Sequence, residues 1–102
     1  MTHFDLSKDA QTDLQEVARY TLKQWGNEQL ALYRDGLKDT FNGIGEDRVM
    51  GRSFSERFPQ LRVTKYRYHY IFYIKDDVPK PIIIGVIHER RDVVNQLAKR
   101  LG

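Results

Sequence analysis

Apolar residues in the first half of the chain recur in steps of three and four. Ala10, Leu14, Val17, Ala18, Thr21, Leu22 and Trp25 fall on one stripe, which predicts a helix from Lys8 to about Trp25. Before it, His3 to Leu6 alternates polar and apolar residues, as a short strand does. Ser7 stands where an N-cap belongs, and Asp9 adds negative charge to the first turn. Trp25 is expected to anchor the core at the end of this helix, and Gly26 to stop it by taking up a left-handed conformation. Asn27 is placed to cap a second helix with the stripe Leu30, Tyr33, Leu37, Phe41 and Ile44. Gly36 weakens the middle of that helix by about 1 kcal/mol relative to alanine. It is expected to be simply tolerated, the other reading being a close backbone approach to a neighbour. Gly43 and Gly45 close the segment. One glycine hinge between two amphipathic stretches predicts an antiparallel helical hairpin.

The period then changes. Asp47 to Pro59 shows none and reads as a long surface loop with room for one short turn of helix. Leu61 to Lys65 alternates as a strand, Tyr66 to His69 makes a turn, and Tyr70 to Lys75 is rich in aromatic and β-branched residues, the strongest strand signal in the chain. Asp76 and Asp77, followed by Pro79 and Pro81, make a second connection. Ile82 to Ile87 is almost wholly apolar, as in a strand covered on both faces. From Asp92 onward, Val93, Val94, Leu97 and Leu101 return to helical spacing. The predicted order is β-α-α-β-β-β-α. Helices followed by strands imply an α+β fold, with the helical hairpin on one face of a small, mainly antiparallel sheet.

At 102 residues, the expectation is one domain over residues 1–102. The absence of cysteine excludes disulfides and thiolate metal sites. No apolar run approaches the roughly 20 residues that span a bilayer, and the first residues lack the pattern of a signal peptide. The expected setting is cytoplasmic. A formal charge of +3 is too small to imply nucleic acid by itself. Its distribution changes the picture: Arg48, Arg52, Arg57, Arg62, Lys65, Arg67, Arg90, Arg91, Lys99 and Arg100 lie from just before the midpoint to the end, whereas Asp13, Glu16, Glu28 and Asp35 dilute the first half. The basic side is the candidate working surface.

Four local motifs, in order, then resemble one family. They are Trp25-Gly26-Asn27-Glu28-Gln29 with Tyr33, Arg48-Val49-Met50-Gly51-Arg52, His69-Tyr70-Ile71-Phe72-Tyr73, and Val86-Ile87-His88-Glu89-Arg90-Arg91-Asp92-Val93. Together with the element order they resemble the ParE-type toxins of the RelE/ParE superfamily, although the proline usual in the second motif is missing. The resemblance implies the toxin of a type II toxin–antitoxin pair, of the kind that stabilises plasmids. Such a toxin poisons DNA gyrase, through its GyrA subunit, and is held in a hetero-oligomer by a ParD-like antitoxin. An antitoxin helix would lie on the helical hairpin, and an antitoxin strand could extend the sheet edge. RelE relatives share the fold but cleave mRNA on the ribosome, so the site has to decide the activity. A module that only binds its antitoxin, without toxicity, is a third reading.

Metal-free RNA cleavage needs a general base, a general acid and cationic stabilisation of the phosphorane. By resemblance, Arg62, Lys65, Arg90 and His88 are the residues that could serve a ribonuclease. Two of the family's roles are unfilled: Tyr70 stands where the middle-strand arginine is expected, and no tyrosine follows Arg91. The face therefore reads as a binding surface, with Arg62, Lys65, Arg67, His69, His88, Arg90 and Arg91 as its target-binding residues. Each has a plainer reading. His88 could simply bond to the backbone or to Asp92, and Arg90 or Arg91 could pair with Asp92. The aromatics among Tyr66, Arg67, Tyr68, His69 and Tyr70 are expected to pack more than to stack on bases. His3, His69 and His88 are too widely separated in sequence to suggest a metal site, and no cofactor is called for.

Overall fold

The computed structural model describes residues 3–101. Strand β1 (Asp5–Leu6) leads into helices α1 (Lys8–Trp25) and α2 (Asn27–Gly45). Strands β2 (Arg52–Ser55), β3 (Phe58–Tyr66), β4 (His69–Ile74) and β5 (Ile82–His88) follow, and α3 (Val93–Leu101) comes last. The sheet order is β1-β5-β4-β3-β2, with only the β1–β5 pair parallel. The α+β fold and the predicted order hold, with one further short strand.

The helical hairpin covers one face of the sheet, burying Ala10, Leu37, Phe41 and Ile44 against Ile71, Tyr73, Ile83 and Val86. Helix α3 covers the other, where Leu97 packs with Leu61, Val63, Phe72 and Ile87. The apolar run of β5 is thus explained: it has a helix on both sides.

Ser7 caps α1 by accepting from the Ala10 amide at 3.1 Å, and its hydroxyl donates to the Ile84 carbonyl at 3.2 Å. That carbonyl belongs to a β-bulge. Phe72 pairs with Gly85 and Tyr73 with Ile83, which leaves Ile84 as the extra residue.

Several expectations are corrected. Arg52–Ser55 is not loop but an edge strand, paired antiparallel with β3, and Phe54 stands edge-on to Phe72 at 5.1 Å between ring centroids. Pro59 lies inside β3, beyond the last β4 pair at Leu61↔Ile74, where its missing N–H costs no rung of that ladder. Asn27 does not cap α2. A single residue separates the helices, so Gly26 serves as the end of one and the start of the next, at φ 89° and ψ 179°. That φ suits glycine, but the ψ is extended rather than left-handed helical.

Gly36 is not merely tolerated: a Cβ there would lie 1.9 Å from the Tyr66 hydroxyl oxygen. Tyr66 reaches α2 at that point and packs edge-on to Tyr33, with centroids 5.1 Å apart. Trp25 is not a core anchor but 68% exposed. Asp13 of α1 bonds the β5 amide of Val86, two residues before that strand ends. Trp25 is twelve helical residues further on, about 18 Å at 1.5 Å each. The last turns of α1 therefore outrun the sheet and have a groove beneath them.

Candidate functional site

The groove lies where the C-terminal half of α1, the β3–β4 hairpin tip and the segment after β5 converge. Its volume is about 620 Å³, and Tyr20, Trp25, Tyr68, His69, His88, Arg90 and Arg91 are among its lining residues. It gathers four of the seven expected target-binding residues.

His69 opens β4 and His88 closes β5, and the two are register partners with ring centroids 5.1 Å apart. The hydroxyl of Tyr33, from α2, is hydrogen-bonded to Nδ1 of His69. Burial, reinforced by the neighbouring His88, lowers the His69 pKa to about 4, so the ring is neutral near pH 7. Burial also raises Tyr33 to about 12, which keeps its phenol protonated. His88 takes the plain role: its Nδ1 accepts from the Arg90 amide at 3.1 Å.

Arg90 and Arg91 are exposed, and neither has an ion-pair partner among the described residues. The expected pairing with Asp92 does not form. Asp92 instead caps α3, where its carboxylate accepts from the Asn95 amide at 3.2 Å and from the Asn95 side chain at 2.6 Å.

The remaining expected residues lie elsewhere. Arg62 and Lys65 are three apart in one strand, so their side chains leave opposite faces of the sheet. Arg62 pairs across the strands with Tyr73, whose side chain is under the helical hairpin, while Lys65 pairs with Tyr70 on the α3 side. Arg62 is bound to Asp76 at 3.4 Å and Lys65 to Glu89 at 2.5 Å. The hydrogen bond from Lys65 holds the Glu89 carboxyl below its ordinary pKa and raises that of Lys65. Arg67 occupies the hairpin turn at φ 50°, its guanidinium 5.7 Å from the centre of the Tyr66 ring. The four residues named for a ribonuclease are therefore not assembled around one point.

The packing expected of Tyr66 and Tyr70 is observed, since both join the hydrophobic clusters, but Tyr68 at the turn is 61% exposed. The groove also has a wall that the sequence reading missed. Asp13 is buried there and held by Arg100 of α3. Its signal was available: Asp13 falls between Ala10 and Val17 on the apolar face of α1, and Arg100 follows Val93 and Leu97 at the same kind of spacing.

Comparison with known proteins agrees with this architecture. Residues 4–93 match the sequence model of the family described as ParE toxin of type II toxin–antitoxin system, parDE. Toxin ParE from Escherichia coli is 31% identical over 101 residues, which cover 99% of this chain and 98% of that one. A chain from the solved chromosomal ParDE TA system of P. aeruginosa superposes with a TM-score of 0.70 over 86% of this chain and 96% of its own. At 14% identity, that likeness speaks for the fold alone. With the family model spanning most of the sequence and a relative matched almost end to end, this chain belongs to the ParE toxin family of type II toxin–antitoxin systems.

Proposed function

We propose that this protein is a toxin that inhibits DNA gyrase through the GyrA subunit and so arrests DNA replication, and that a ParD-like antitoxin neutralises it in a hetero-oligomer. It acts in the cytoplasm, and a pair of this kind would stabilise a plasmid carrying it. The observation that carries the reading is the near end-to-end match to a ParE toxin. The separation of Arg62 from Lys65 on opposite faces supports action by binding over RNA cleavage, because general acid–base chemistry needs its groups around one phosphate.

The helical hairpin supports the antitoxin part. Between α1 and α2 lies an apolar depression of about 280 Å³, bordered by Leu14, Val17, Leu30, Leu37 and Phe41. An amphipathic antitoxin helix would seat its apolar side chains there.

Purified toxin added to gyrase should block supercoiling or trap cleaved DNA, and antitoxin should reverse the effect. Ribosome-bound mRNA should stay intact in a parallel reaction. Unimpaired gyrase alongside codon-positioned mRNA cuts would transfer the assignment to the ribonuclease reading.

A further inference from the structure

We infer that the groove between α1 and the segment after β5 binds single-stranded nucleic acid, with Tyr20, Trp25 and Tyr68 stacking on bases and Arg90 and Arg91 holding phosphates. Three large aromatics are left in water at one site: Tyr20 is 60% exposed, Tyr68 61% and Trp25 68%. All three line the same groove, and none is paired with another ring among the described residues. The fold thus derives little burial from them, whereas exposed rings beside cations are what sequence-tolerant strand binding uses.

The charge balance favours an anion. Of the carboxylates at the groove, Asp13 is taken by Arg100 and Glu89 by Lys65. That leaves Glu16 against the guanidinium groups of Arg90 and Arg91, so the open part is net positive. The imidazole of His69 adds nothing to that balance near pH 7, because burial keeps it neutral. An acidic peptide would satisfy the arginines but leave the three rings without flat partners; a nucleotide strand satisfies both. Duplex DNA buries its base faces in its own stack, so only its phosphates could engage. Base faces and phosphates, the features the rings and arginines would engage, are common to DNA and RNA, so both kinds of strand should bind. The inference is independent of gyrase as the target.

Trp25 is the chain's single tryptophan, which makes the site self-reporting. Oligomers of dT and of U, each about eight nucleotides long, should quench its emission saturably and with similar affinity. Two phosphate contacts predict a salt slope of about −1.4 for a single strand. Tyr68→Ala should weaken binding by roughly 5- to 160-fold, the range expected for one lost stacking ring. The double variant R90A/R91A should weaken it at least about tenfold, while R19A/K23A, with the same charge loss on α1 but outside the groove, should leave it unchanged. Far-UV circular dichroism would establish that each variant is folded. Absence of quenching, equal binding by R90A/R91A, or equal affinity for a duplex would overturn the inference. A glutamate-rich peptide binding as tightly as the oligomers would also overturn it, in favour of a protein partner.

Discussion

Arg100 grips Asp13 through both terminal nitrogens, Nη1 to Oδ2 at 2.7 Å and Nη2 to Oδ1 at 2.8 Å. This fork-to-fork geometry is the strongest form of a charge-assisted pair. Oδ2 of Asp13 also accepts from the Val86 amide at 2.9 Å, and Nη1 of Arg100 reaches the bulged Ile84 carbonyl at 3.3 Å. One small site therefore joins α1, β5 and α3. Gly85 makes it possible, since a Cβ there would lie 2.5 Å from Nη1.

Breaking such a pair costs more than the pair contributes, because the surviving charge is left buried. Arg100→Ala should lower stability by about 3–5 kcal/mol. The double variant D13A/R100A should cost clearly less than the sum of the two single changes. Urea unfolding of the four proteins gives the coupling directly.

Gly36→Ala tests the close approach in α2. Helix propensity alone predicts a gain of about 1 kcal/mol. The clash with Tyr66 should reverse the sign, giving a loss of about 1–3 kcal/mol. In a Tyr66→Ala background the same change should become neutral or stabilising. Thermal unfolding of both pairs decides between a wedged ring and a tolerated glycine.

His69 gives stability a pH dependence. Its native pKa, about 4, lies below the ordinary 6.5, so between these values the unfolded chain binds a proton that the native protein refuses. The stabilisation is complete above about pH 6.5 and falls as pH drops toward 4, by at most about 3 kcal/mol. His69→Gln, which retains hydrogen-bonding capacity without titrating, should flatten that part of the profile. A slope unchanged by the substitution would assign it to carboxylates instead.

Trp25 should matter little to folding. Trp25→Ala is expected to change stability by less than about 1 kcal/mol, whereas Phe72→Ala, at a fully buried position, should cost about 3–5 kcal/mol. Denaturant midpoints compare the two, and strong collisional quenching of the native indole would verify its exposure independently.

The helices and the central strands were legible because each carries a clean period. The α1 stripe begins and ends where the helix does, and Ile82 to Ile87 announced a strand covered on both faces. What escaped depended on partners that a segment's own period does not reveal, whether near in sequence or far. Arg52–Ser55 is a strand because β3 pairs with it; Phe54 alone was too little pattern. Trp25 occupies a core position of the stripe, yet the strand that would have covered it ends first. The Tyr66 contact at Gly36 and the pairing of Asp13 with Arg100 are likewise tertiary facts. The candidate residues divided for a simpler reason: strand parity sends Arg62 and Lys65 apart, which spacing alone already required.

The parallel seam between β1 and β5 bears on the order in which the protein folds. Asp5 pairs with Ile82 and Leu6 with Ile83, while the β3–β4 hairpin closes at Tyr66↔His69 across two residues. Closing the hairpin costs little chain entropy, so it and the α1–α2 hairpin can form early; the seam has to wait for partners far along the chain. Substitutions in β1 should therefore accelerate unfolding and leave the folding rate nearly unchanged. The shortest strand of the sheet would then act as the clasp that sets how long the native state lasts.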